Sequence, residues 1–181
     1  RRPEAEILMG TGNLTELTDA DTSGINALLM GVVSELGIRN VLVVQVSPHC
    51  RRAVQETDAA RRIMFAAREE NSLPSGIDPA LLCLRDKKPL VNTPEDVAEL
   101  AAQVSDDNFR IEVAADGIHA YNRHGHHIAT DAFELFPKLG VESDGSHAFY
   151  LGVELAKAQI AWQLGKRYVQ DRPLGWGVAV D

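Results

Sequence analysis

Short apolar runs closed by turn residues alternate with helical stripes over the first seventy residues. Ile7-Leu8-Met9 leads into Gly10-Thr11-Gly12-Asn13, the pattern of a buried strand that ends in a glycine turn. Ile25, Leu28, Leu29, Val32, Val33 and Leu36 then recur at helical spacing, behind a cap from Asp21 or Thr22 and as far as Gly37. Val41-Leu42-Val43-Val44-Gln45-Val46 is β-branched and nearly all apolar, as expected of a strand covered on both faces in a parallel sheet. Ser47-Pro48-His49-Cys50 turns the chain, and Ala53 to Glu70 places Val54, Ala60, Ile63, Met64 and Ala67 mostly on one stripe. Two consecutive βα units predict parallel strands and a right-handed crossover.

Pro74, Ser75 and Gly76 break the pattern, which divides the chain into an α/β region over 1–76 and an α+β region over 77–181. Leu81-Leu82-Cys83-Leu84 is a short strand candidate. Thr93-Pro94-Glu95-Asp96 supplies a cap, a proline at the first helical position and two early acids, so a helix is expected over 95–104. Phe109 to Val113 alternates apolar with charged, and Ala115-Asp116-Gly117 is hairpin chemistry leading to Ile118-His119-Ala120-Tyr121. Asp131 or Thr130 can cap a short helix through Leu135, and Asp144 or Ser146 a longer one ending at Gly165.

Composition narrows the function classes. The chain has 181 residues, 45% hydrophobic and 24% charged, which is ordinary globular composition with enough length for a real core. A net charge of −8 offers no basic footprint, so neither nucleic acid nor an anionic membrane surface is an expected partner. Cys50 and Cys83 stand apart without a paired-cysteine motif, which argues against a disulfide framework or a thiolate zinc site and fits a cytoplasmic protein. No apolar run reaches membrane-spanning length. The opening Arg1-Arg2-Pro3-Glu4-Ala5-Glu6 lacks an initiator methionine and runs straight into Ile7, so a piece of a longer chain is the expectation.

Candidate chemistry collects behind the two strands, because parallel α/β folds bind ligands beyond the carboxyl ends of their strands. Gly12 and Asn13 lie behind the first; glycine there lets backbone amides approach an anion, although a tight turn explains the segment equally well. Ser47, His49, Arg51 and Arg52 follow the second, a hydroxyl, an imidazole and two guanidiniums just before a helix, suited to phosphate. The alternative is a solvated basic turn, with Glu56 and Asp58 pairing with the arginines. Glu16, Asp19 and Asp21 read as helix-capping acids. His124, His126 and His127 are weak metal candidates, since the glycine among them suggests a loop and nothing nearby completes four ligands. His147, one residue past Ser146, belongs either to the first turn of the long helix or to a cleft between the two regions. Trp162 and Trp176 read as packing residues.

The segments Met9 to Asp21, M-G-T-G-N-L-T-E-L-T-D-A-D, and Val46 to Val54, V-S-P-H-C-R-R-A-V, resemble the dihydropteroate synthase-related family linked to methanopterin-type pterins. The likeness covers most of the first 90 residues. Asp144 to Asp171, with S-H-A-F-Y-L-G-V-E-L-A-K-A and Y-V-Q-D, resembles a small uncharacterised domain appended to that family's barrel, and also segments of tetrahydromethanopterin methyltransferase subunits. The resemblance implies that Glu6 to Met9 and Val41 to Val46 are the seventh and eighth strands of a pterin-binding (β/α)8 barrel. Such a barrel needs about 250 residues, and isolated βα units leave edges that recruit a partner. Either the first six units lie in an N-terminal segment of the same gene product or in another subunit, or the two units pack in some other way, with a homo-oligomer as a further alternative.

The implied reaction is a dihydropteroate synthase-like transfer in tetrahydromethanopterin biosynthesis, part of one-carbon metabolism. The pterin is substrate or ligand, and no other cofactor is implied. His49 would donate to the leaving oxygen, while Gly12, Asn13, Ser47, Arg51 and Arg52 hold substrate and phosphate. The chain departs from the family in having no lysine near Gly10 to Asn13 and in placing His49 ahead of its arginines. A non-catalytic module that binds a pterin or assembles subunits is the alternative.

Overall fold

A computed structural model describes residues 4–180 of the chain. The chain is mixed α/β and divides into two compact units: Arg1–Cys83 with Trp176–Asp181, and Leu84–Gly175. The turn-rich segment around Gly76 thus falls inside the first unit, and the division lies at Cys83.

In the first unit, strand β1 (Leu8–Gly10) is followed by a short helix α1 (Gly12–Glu16) and by α2 (Thr22–Leu36). Strand β2 (Asn40–Leu42) leads through a single 3-10 turn at Pro48–Cys50 into α3 (Ala53–Glu69). The strands are parallel, with Leu8 beside Asn40, Met9 beside Val41 and Gly10 beside Leu42. Gly37 ends α2 in the left-handed conformation, as its position predicts. Asp21 occupies the N-cap of α2 without a side-chain capping bond.

Strand alternation sends Met9 and Val41 to one face, where they pack with Met30, Val33 and Ala60 of the helices. Leu8 and Leu42 point to the other face and are 65% and 55% exposed. The expectation of a strand covered on both faces is therefore corrected: helices cover one face only. The paired part of β2 stops at Leu42, since β1 offers it three residues, and Val43 to Val46 continues outside the sheet. Leu81 to Leu84 is turn and coil rather than strand; Leu82 N bonds to Pro79 O, and Leu81 packs on the helices instead.

Gly12 shows why glycine is required behind β1. A Cβ there would stand 2.4 Å from Val44 Cγ2 and 3.0 Å from the Val44 backbone nitrogen. Gly12→Ala should cost the first unit about 1–3 kcal/mol through overpacking, measured by urea titration; an unchanged midpoint would show that the contact gives way freely.

In the second unit, α4 (Pro94–Gln103) starts at Thr93 with a full capping box between Thr93 and Asp96. Strands β3 (Arg110–Ala114), β4 (Gly117–Asn122) and β5 (Gly125–Ala129) form an antiparallel sheet in that order. Helix α5 (Ala132–Leu135) is capped by Asp131, and α6 (Gly145–Leu164) by Asp144. One face of the sheet places Ile111, Val113, Ile118 and Ala120 against Leu151, Leu155, Ala158 and Ala161 of α6. The other sets Ala114 and Tyr121 against Val97 of α4. This unit has the larger core.

Residues 176–180 return to the first unit. Gly177 allows the approach: its φ is +54°, a Cβ would lie 2.2 Å from Ala80 O, and Val178 N donates to that oxygen at 2.9 Å.

Candidate functional site at the strand ends of the first unit

Residues behind β1 and β2 are tied together. Thr11 N and Oγ1 both donate to Leu42 O, at 3.0 and 3.2 Å. The Glu16 carboxylate receives Val46 N at 2.6 Å and Ser47 N at 2.9 Å. His49 Nε2 and Cys50 Sγ both reach Thr15 O, at 3.2 and 3.3 Å. With Nε2–H donated to a carbonyl, the other ring nitrogen of His49 is the acceptor in the neutral imidazole.

Glu16 is the residue that sequence reasoning misread. It lies at the C-terminal end of α1, where a capping role is unavailable, and its carboxylate occupies the loop amides where an anion was expected. The Ser47 hydroxyl, followed by the Val46 amide, holds its carboxyl down to about 2. Burial, with the Glu16 charge next, raises the Cys50 thiol, so this cysteine is a packed structural group rather than a nucleophile. Because the folded value of Glu16 lies below its ordinary 4.5, the stability it contributes is present above that pH and lost as pH falls towards 2. The stability difference between wild type and Glu16→Gln should be full at pH 6 and vanish near pH 2. A difference that stays constant across this range would exclude the carboxylate as its source.

The sequence candidates separate into two groups. Gly12 is buried against Val44, and Ser47 is engaged with Glu16. Arg52 donates through Nε to Val178 O at 2.9 Å and reaches Val180 O at 3.4 Å, so its guanidinium anchors the returning C-terminal residues. Asn13, His49 and Arg51 remain exposed. Asp58 pairs with Arg61 and Arg62 rather than with Arg51 or Arg52. Glu56 turns inward, where its Oε2 accepts Thr22 Oγ1 at 2.5 Å and Asn26 Nδ2 at 3.0 Å between α2 and α3.

The histidine run does not converge. His124 lies in the turn before β5 with Nε2 2.7 Å from Asp107 Oδ1, while His126 and His127 fall on opposite faces of β5. The glycine among them sits at the start of that strand, not within a loop. Among the described residues no group of three or more His, Cys, Asp or Glu could hold a metal ion. His126 instead pairs with His119, whose Nδ1 is 2.9 Å from its Nε2, and Asp116 Oδ1 stands 2.8 Å from His119 Nε2. Burial, with His119 second, lowers the His126 pKa.

The chain is 29% identical over 194 aligned positions to an uncharacterized protein of Methanocaldococcus jannaschii, covering 94% of this chain and 36% of that protein. It thus spans little more than a third of the length of the curated relative it matches. No known family profile matches the chain. No solved structure matches it. Among the described residues, no helix is long and apolar enough to cross a membrane.

Proposed function

We propose that the first unit supplies the last two βα units of a pterin-binding barrel, completed by another segment of the same gene product or by another subunit. The supporting observation is the parallel β1–α2–β2–α3 arrangement, with helices on one sheet face and Leu8 and Leu42 bare on the other. A barrel wall has this form: helices outside, and inward side chains that need the remaining strands to cover them. Both sheet edges are also unpaired among the described residues, a state that invites further strands.

The reaction in this reading is the dihydropteroate synthase-like condensation of tetrahydromethanopterin biosynthesis, in the cytoplasm. A diphosphate leaves a pterin methylene carbon as a nucleophile attacks, so the protein's task is to orient the pterin and stabilise departing charge. Of the loop residues, the exposed Arg51 and His49 would meet the diphosphate in this reading, and the exposed Asn13 would hydrogen-bond the ligand from the neighbouring loop. Gly12, Ser47 and Glu16 shape that rim, and Arg52 anchors the chain behind it.

A second reading, a pterin-binding or subunit-assembly module without turnover, is favoured by one observation. The loop amides are already filled by Glu16 and the Arg52 guanidinium is directed to backbone carbonyls, so these donors are already engaged within the protein rather than turned to a leaving group. Titration of the full gene product with a dihydropterin diphosphate separates the readings. Arg51→Ala should weaken binding at least tenfold; unchanged binding would remove the anion site. Binding without turnover across candidate nucleophiles would select the module.

A further inference from the structure

The conspicuous sequence motif of the second unit, S-H-A-F-Y-L-G-V-E-L-A-K-A with Y-V-Q-D downstream, takes no part in the reading above. Its polar residues form one connected network. Tyr150 donates to Asp171 Oδ1 at 2.8 Å and accepts from Gln170 Nε2 at 2.8 Å. Gln170 also donates to Phe109 O at 3.1 Å, and its Oε1 accepts Ile111 N at 2.8 Å. Asp171 adopts the left-handed conformation, with φ +65°, at the end of this chain of bonds. Outside the first strand of a sheet, such construction needs a reason.

The network forms a wall of a cleft of about 570 Å3, within the range of small-molecule sites. Phe109, Val141 and Leu151 line it with apolar surface, Arg110 and Asp171 bring charge to it, His147 adds a ring nitrogen, and Asp107, also on its wall, is paired with Arg123 and His124. Arg110 is oriented before any ligand arrives: NH1 and NH2 both grip Asp106, and NH1 also donates to Asn108 O at 2.6 Å. That grip uses the end-on fork of the guanidinium. Nε–H and the remaining NH2 proton form the side-on fork, a parallel donor pair suited to a carboxylate. Asp171 has one oxygen engaged by Tyr150, and Oδ2 has no partner among the described residues. His147 is held through Nδ1 by Asp144 at 2.8 Å, which leaves Nε2 as a further polar contact.

A guanidinium fork and a carboxylate oxygen sharing one apolar cleft complement a molecule that carries opposite charges at its two ends. We infer that the second unit binds a small zwitterion, with a carboxylate on Arg110 and a protonated amine on Asp171. This site shares no residue with the pterin reading of the first unit and stands or falls independently of it.

A chemical ruler tests the inference on the intact 181-residue chain. β-Alanine, 4-aminobutyrate and 6-aminohexanoate present the same two charges at increasing separation, and butyrate and butylamine present each charge alone. Calorimetric titration should find at least one of the zwitterions bound with a stoichiometry of one, and at least tenfold more tightly than butyrate or butylamine. Asp171→Asn retains the left-handed backbone and an acceptor for Tyr150, and should remove that tenfold preference while leaving butyrate binding unchanged. Arg110→Lys retains a charge beside Asp106 without the fork, and should weaken zwitterion and butyrate alike. The inference is overturned if none of the three zwitterions binds below about 10 mM, if butyrate matches the best of them, or if Asp171→Asn preserves the preference.

Discussion

Leu155→Ala should lower the stability of the second unit by about 2–5 kcal/mol, the usual cost of removing a fully enclosed leucine. Leu155 is wholly buried on the face of α6 that meets Ile111, Ile118 and Ala120 of the sheet. Those neighbours belong to regular strands paired on both sides or capped by Gln170, so they have little freedom to collapse into the space. Urea titration followed by tryptophan fluorescence reads the loss, because Trp162 packs against the same cluster. Leu8→Ala is the matched control. Leu8 is largely exposed, and in the isolated chain its removal should stay within about 0.5 kcal/mol. A cost for Leu155 as small as that for Leu8 would mean that the helix does not seat on the sheet.

Lys157→Met should be nearly as damaging, at about 3 kcal/mol, for an electrostatic reason. The Glu154 carboxylate is buried and accepts Lys157 Nζ at 2.5 Å, Tyr168 Oη at 2.7 Å and Asp171 N at 3.4 Å. Without the ammonium an anion is left in a low-dielectric site, and the two remaining donors do not compensate it. Burial, then the bond to Glu154, already raises the Tyr168 hydroxyl well above the ordinary tyrosine range, so it stays neutral. Glu154→Gln should be milder, since the amide oxygen still accepts from Tyr168. The double variant Glu154→Gln with Lys157→Met should recover most of the loss. If Lys157→Met alone cost under about 1 kcal/mol, the pair would be behaving as a solvated surface contact.

Local chemistry was legible where one segment decides its own structure. The capping box at Thr93, Asp144 ahead of α6 and the left-handed ends at Gly37 and Gly165 follow from neighbours within four residues. The hairpin at Asp116 was equally readable, and so was the parallel relation of β1 and β2. Features set by distant partners were not. Glu16 looks like a capping acid until Val46 and Ser47, thirty residues on, present their amides to it. Arg52 looks like a phosphate ligand until Val178 and Val180 return to its side. Val43 to Val46 has strand composition but no strand beside it, and composition cannot supply a hydrogen-bonding neighbour. The His119–His126 pair was within reach: the two-residue turn between β4 and β5 places them diagonally on one face once the register is drawn.

The Val178 N to Ala80 O bond has a topological consequence. It ties Ala80, just before the chain leaves the first unit at Cys83, to Val178, just after it re-enters at Trp176, with nitrogen and oxygen 2.9 Å apart. The second unit is therefore an insertion between two adjacent anchor points, and a short glycine-serine bridge from Cys83 to Trp176 would span the gap left by its excision. A protease cut at one junction alone would leave the halves held by this bond and by Arg52, whereas two cuts would be needed to release the inserted segment as a separate chain.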